Sequence, residues 1–305
     1  MDKQIDAETD KATALWEIRQ LDTLYRLLSR GVQAAKSFPK FLETIRSIEE
    51  NENIAPLVFP NSRLPKGPKA KKSRDEKYKV HKQEADELAS FAEFELADGL
   101  SSLHSLLAVR LCTILEVTVD DLACAALRKP DKWTQPDVVG KLSGPLLQFL
   151  EASEEDRVRF LCDELRLSTR ASLKVGVGKF EDLLTPIGLG GTVADSVRRT
   201  LLEIIEVRNT IVHRAGVVDK QLKARCPWLT VEIGETIKID HFHYWKYLSA
   251  VTTYLAELYR RANHRGILKI SKERMQVVDE IKQTFLALAE SDEADLAKLP
   301  RRSGK

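Results

Sequence analysis

Glycine and proline are scarce and clustered in this chain, 14 and 11 among 305 residues, and between the clusters apolar residues recur every three or four positions over long stretches. That period puts one face of a helix on a core; strands, whose side chains alternate, need a period of two. The chain therefore reads as mostly helical. From about Ala7 to Ala35 the residues Leu15, Ile18, Leu21, Leu24, Tyr25, Leu28 and Val32 keep the helical spacing, and Phe38 to Glu50 reads as a second, shorter helix. The two predict an N-terminal helical hairpin over residues 1–50. Four prolines between Asn51 and Arg74 (Pro56, Pro60, Pro65, Pro68), with no sustained period, predict a linker over 51–74.

Two long helical patterns follow, Asp75 to Ala97 and Leu100 to Leu127, broken at Gly99. The second carries Leu103, Leu106, Leu107, Leu111, Ile114, Leu115 and Leu122, enough apolar surface for a central core helix. Shorter helices are expected from Trp133 to Leu167, one of them capped by Ser153 ahead of Glu154, Glu155 and Asp156. A glycine-bearing stretch, Lys174 to Gly191, leads into a helix over about Thr192 to His213, with Gly216 just past its end where a left-handed residue is expected. Thr230 to Ile239 departs from helix: Val231 and Ile233 alternate against Ile237 and Ile239 around Gly234-Glu235, which predicts a small β-hairpin. Asp240 then caps a helix to about Arg261, and a last amphipathic helix, about Ser271 to Ala289, precedes a polar tail within 266–305.

Composition narrows the function classes. Lys and Arg total 48 against 46 Asp and Glu, a formal charge of +2, which excludes a protein that coats nucleic acid through bulk charge. The four cysteines have no C-x-x-C spacing, so neither a disulfide framework nor a zinc ribbon is indicated, and a reducing cytoplasm fits them. No uncharged apolar run reaches the ~18 residues of a membrane span. Leu100 to Leu127 comes nearest and is interrupted by Arg110, Glu116, Asp120 and Asp121, while the opening MDKQIDAETDK lacks the order of a signal peptide. The expected location is the cytoplasm, away from membranes. Charge is uneven locally: Arg63 to Lys82 holds nine Lys and Arg against two acidic residues, an excess of seven. Within it Lys66, Lys69, Lys71, Lys72 and Arg74 are candidate contacts for an RNA backbone.

The sharpest feature is Glu206-Val-Arg208-Asn209-Thr-Ile-Val-His213-Arg-Ala-Gly216-Val-Val-Asp219. It joins a permanent cation to the side chain best suited to proton transfer near neutrality. Such a pair suits RNA cleavage without a metal: histidine takes the proton of a ribose 2′-hydroxyl or protonates the leaving 5′-oxygen, while arginine holds the phosphate and offsets its growing charge. The Asn209 amide could orient either the phosphate or the imidazole. At roughly 100° per residue Arg208 and His213 point about 140° apart, whereas Asn209 and His213 share a face. A long arginine side chain, or a second copy of the helix across a two-fold axis, would bring the two groups to one phosphate. Arg74 and His81 fit the same loose spacing but lack an apolar helix leading into them.

Other candidates are weaker. Gly176-Val-Gly178-Lys179 and Gly188-Leu-Gly190-Gly191-Thr192 lack phosphate-loop spacing and read as ordinary loop glycines. His241 and His243, two apart at a helix start, diverge by about 200° and make a poor metal chelate. No metal and no cofactor are expected.

At Arg208, Asn209 and His213 the sequence resembles the HEPN superfamily (higher eukaryotes and prokaryotes nucleotide-binding), whose hallmark is Arg-polar-x(3 to 5)-His near the end of a core helix. It is most similar to HEPN domains of prokaryotic toxin–antitoxin, abortive-infection and antiphage systems, with a thinner likeness over about 75–265. The resemblance implies an all-α HEPN-like bundle, here with one small hairpin and extra N- and C-terminal helices. It further implies a homodimer with the motif at its interface, and metal-independent endoribonuclease activity leaving a 2′,3′-cyclic phosphate. Carried over by position, Arg208 binds the phosphate, Asn209 is the polar residue beside it and His213 is the general acid/base. An antitoxin or other regulatory partner would accompany such an enzyme. The alternative the same resemblance allows is a non-catalytic RNA-binding or scaffold protein acting through partner proteins.

Overall fold

The computed structural model describes residues 13–50, 68–144, 146–170, 174–280 and 282–283 and is built of helices, with no strand among the described residues. In chain order these are α1 (Thr13–Glu50), α2 (Pro68–Ala97), α3 (Ser101–Leu127), a 3₁₀ turn (Pro130–Lys132), α4 (Pro136–Val139), α5 (Leu146–Glu151) and α6 (Glu154–Ser168). Then come α7 (Gly178–Leu184), α8 (Asp195–Arg214), α9 (Lys220–Arg225) and α10 (His241–His264), and a further helix, α11, over 272–280. The chain divides into two compact units, Asp22–Leu103 and the remainder, Met1–Leu21 with His104–Lys305.

In the Asp22–Leu103 unit α1 and α2 run antiparallel, tied by Lys36 to Glu93 (3.8 Å), by Lys82 to Glu43, and by Arg46 to Asp75 (3.3 Å) with its guanidinium 4.2 Å from the centre of the Tyr78 ring. Small residues let the helices approach: Ala85 and Ala92 are fully buried. Two expectations change here. The predicted N-terminal hairpin is a single 38-residue helix that continues through Pro39. A proline inside a helix removes one hydrogen bond and costs about 3 kcal/mol. Lys36, Glu43 and Arg46, anchored to α2 on either side of Pro39, keep the helix running across it. Beyond the gap in the described residues, α2 already begins at Pro68, a residue type suited to the first helical turn, so Lys69 to Arg74 are helical rather than linker.

The other unit is organised around α3, α8 and α10. Helix α3 buries Leu107, Leu111, Leu115, Val119, Leu122 and Ala126. Helix α10 buries Tyr244, Tyr247, Leu248, Val251, Tyr254, Leu255 and Leu258 and packs along α8. Each such aliphatic or aromatic side chain taken out of water stabilises the fold by about 1.5–3 kcal/mol. By length and composition α3 is the one helix among the described residues that could cross a membrane, yet half of its most apolar window is buried inside the chain's own fold. The cap assignments hold: the Ser153 side chain accepts from the Asp156 N–H and the Asp240 side chain from the His243 N–H.

The β-hairpin expected over 230–239 does not form. Instead Thr236 makes an isolated antiparallel bridge with Val217, directly after α8, with Val218 N–H donating to Glu235 O and Ile237 N–H to Gly216 O, both at 2.9 Å. The reason lies in burial: Ile237 and Ile239 face the core, whereas Ile233 is 53% exposed, so one half of the alternation has nothing to pack on. An isolated two-stranded hairpin is marginal in water, and the Ile237 side pairs with the segment leaving α8 instead.

Candidate functional site

Helix α8 carries the Arg208 to His213 segment, and its middle is buried on nearly every side: Thr200, Leu201, Glu203, Ile204, Ile205, Glu206, Val207 and Thr210. Two of these are acidic, and both are satisfied. Glu203 accepts from the Trp228 indole, from Lys246 (3.0 Å) and from the Tyr247 hydroxyl (3.0 Å). Burial, and next the Glu203 carboxylate, push the Tyr247 hydroxyl well above the usual tyrosine value. Glu206 accepts from Arg225 at 2.7 Å, tying α8 to α9. The Glu206 that opens the motif is thus a packing residue of the helix, engaged away from Arg208.

The end of α8 is set by two consecutive left-handed residues, Ala215 (φ 51°) and Gly216 (φ 81°), with the Gly216 N–H donating to Thr210 O at 3.1 Å. Gly216 takes the expected conformation; Ala215 takes it at a cost of about 1–2 kcal/mol, because its Cβ crowds the following carbonyl. Asp219 closes the segment twice over, capping α9 through the Leu222 N–H (2.7 Å) and pairing with Arg214 (2.9 Å). Ala215 and Gly216 therefore fix where α8 stops, and Asp219 ties its last turn to the start of α9.

Arg208 is partly buried and lies against α3. One terminal nitrogen donates to the Asn209 side-chain oxygen at 3.1 Å, the other stands 3.6 Å from Glu116, and its buried Nε has no hydrogen-bond partner. The second Glu116 oxygen accepts from Lys179 of α7 at 2.8 Å. One carboxylate thus holds two cations from two other helices. Burial, and secondarily the Glu116 charge, push the nearby Cys112 thiol up to about 12, so it is neutral and takes no part in proton transfer. His213, on the last turn of α8, is exposed, and its imidazole has no hydrogen bond or ion pair among the described residues. The structure brings Arg208 and Asn209 together and leaves His213 five residues on, about 7.5 Å along the axis and roughly 140° around it. Two surface hollows, one lined by Tyr78, Lys82, Asp86 and Glu87 and the other by Asn263, Met275 and Asp279, include none of the three.

Glu116 and Lys179 are the site residues that sequence reasoning missed. Each left a faint trace: Glu116 interrupts an otherwise apolar helix, and Lys179 follows the Gly176-Val-Gly178 run. The second glycine run has a structural use. Gly191 donates its N–H to the buried Glu181 (2.8 Å), and a Cβ there would stand 2.6 Å from the Arg261 guanidinium carbon, which also binds Glu181. A protein carboxylate sits where a phosphate loop would hold its anion. His243 rests on Asp240 (2.7 Å), and that hydrogen bond holds the Asp240 carboxyl down at about 2. Among the described residues no group of three histidines, cysteines or carboxylates is placed to hold a metal ion. Of the basic candidates, Lys71 and Lys72 are exposed on α2, Arg74 is half-buried, Lys69 lies in the first turn of α2, and Lys66 falls outside the described residues. No family model matches the chain, and neither the curated proteins nor the solved structures offer a match to it.

Proposed function

We propose that the protein is a metal-independent endoribonuclease of HEPN type, acting in the cytoplasm in prokaryotic defence or stress. The observation that supports this most is the end of α8: an exposed imidazole on the last turn, an amide one turn before it on the same face, and a guanidinium beside that amide. His213 takes the proton of the ribose 2′-hydroxyl as that oxygen attacks phosphorus, the bond from phosphorus to the 5′-oxygen breaks, and the imidazolium passes the proton on to the departing 5′-oxygen. A 2′,3′-cyclic phosphate and a 5′-hydroxyl result. Arg208 neutralises the charge that builds on the phosphate, and Asn209 positions it. On this reading Arg208 leaves Glu116 when a phosphate arrives, and Lys179, already 2.8 Å from the same carboxylate, keeps Glu116 paired. Because Arg208 and His213 diverge on one helix, the reaction centre draws them from two copies of α8 across a homodimer axis. RNA is the substrate, and an antitoxin or similar partner restrains the enzyme.

A second reading has one observation in its favour. Arg208 is already engaged by Glu116 and Asn209 within the fold, as a structural arginine would be, which suits a non-catalytic RNA-binding or scaffold protein. Incubation with total RNA in EDTA separates the two. Fragments ending in cyclic phosphate and 5′-hydroxyl are the expected outcome; RNA left intact under every activating condition would favour the second.

A further inference from the structure

A stripe of exposed apolar residues runs along α1 within the Asp22–Leu103 unit: Leu24, Leu27, Gly31, Ala34, Phe38 and Phe41, spaced three, four, three, four and three apart. That is the spacing of a coiled-coil seam. Leu24 is 46% exposed, Leu27 64%, Phe38 40% and Phe41 57%, and nothing lies within 4 Å of where a Cβ on Gly31 would be. The order of sizes is large, large, small, small, large, large, and it reads the same in both directions. Antiparallel seams pair residues whose numbers have a constant sum. A sum of 65 sets Leu24 against Phe41, Leu27 against Phe38 and Gly31 against Ala34 of an identical helix. A two-fold interface needs such a self-complementary patch. The small pair at its centre would let the two backbones approach closely.

We infer that α1 is a dimerisation helix, its Leu24 to Phe41 stripe packing antiparallel on the same stripe of a second copy of the chain. The area suits this occupant. With Leu28, 42% exposed, at its edge, the stripe offers on the order of 500 Å² of apolar surface per copy. A standard interface takes about 800 Å² a side, of which roughly three-fifths is apolar. Charge does not oppose the pairing. The positions on one flank are Thr23, Arg30, Ser37 and Thr44, and the antiparallel register puts Arg30 opposite Ser37, not opposite another cation. The inference rests on α1 alone and is independent of the role proposed for Arg208 and His213.

Analytical ultracentrifugation of the full chain tests it. Wild type is expected to dimerise, and Leu27→Glu or Phe38→Glu to weaken the dimer about 100-fold or more, since a charge is buried at the centre of the seam. Val80→Glu, on exposed α2 surface, should leave the association unchanged. Circular dichroism identical to wild type shows that each variant is folded. Orientation is read by a short thiol-reactive cross-linker: Thr23→Cys mixed with Thr44→Cys should join, while Thr23→Cys alone should not. A monomeric wild type, or a dimer that both glutamate variants leave intact, would overturn the proposal and assign the stripe to another part of the chain or a different partner. Cross-linking of Thr23→Cys to itself would overturn the antiparallel register.

Discussion

Ala215 and Gly216 decide where α8 ends, and they respond oppositely to substitution. Ala215 pays for a left-handed conformation that glycine adopts freely, so Ala215→Gly should stabilise the protein by about 0.5–1 kcal/mol, the relief of strain being partly offset by the freer unfolded chain. Gly216→Ala places a Cβ 3.3 Å from the Thr236 methyl group at φ 81°, and should cost about 1–2 kcal/mol. Urea denaturation of both variants checks the pair of signs. Asp240 supplies a pH signature. Its carboxyl is lowered from 3.8 to about 2 by the hydrogen bond with His243 at the head of α10. A group depressed in the folded state binds its proton more readily when unfolded. Its stabilisation is therefore complete above about pH 4 and disappears as the pH falls towards 2. Asp240→Asn should remove that part of the acid dependence of the melting temperature below about pH 4. The two caps and Gly216 were legible in the sequence because each acts within three or four residues of itself. The pairing of Arg208 with Glu116 was not, since it joins positions 92 apart and leaves no periodic trace.

At the scale of elements, Pro39 and Glu203 carry the most weight. Pro39 interrupts the hydrogen-bond ladder of α1 at a place where the helix is kept continuous by its ties to α2. Pro39→Ala should raise the thermal stability of the chain, by up to about 3 kcal/mol if the helix is otherwise undistorted. A fall in melting temperature would show instead that the helix depends on a bend there. Glu203 joins α8 to α10 and to Trp228, and with 1% of its side chain exposed it cannot be replaced by water. Glu203→Ala leaves Lys246 and the Tyr247 hydroxyl without their acceptor and should cost about 3 kcal/mol in chemical denaturation. The helical period made α3, α8 and α10 plain from sequence, because a buried helix must repeat its apolar face. Alternation around Gly234 was misread for the converse reason: it marks extended backbone without saying what that backbone pairs with. Ile237 follows Gly216 rather than its neighbour across the turn.

For the whole molecule, the all-helical architecture followed from the sparse glycine and proline, while the chemistry rested on three residues near the end of one helix. A single chain presents Arg208 and His213 in different directions, so the proposed enzyme is a property of two chains. Mixing variants tests that most directly. Wild type, Arg208→Ala and His213→Ala are each incubated with RNA in EDTA, and the two variants are also unfolded together, refolded together and assayed as a mixture. Cleavage by wild type, its loss in both variants and its return in the mixture to about a quarter of wild type are predicted, because half the dimers then carry one complete Arg208 and His213 pair across the axis. Equal cleavage by wild type and both variants would contradict the assignment of the site, and a mixture as inactive as its components would contradict its construction from two chains.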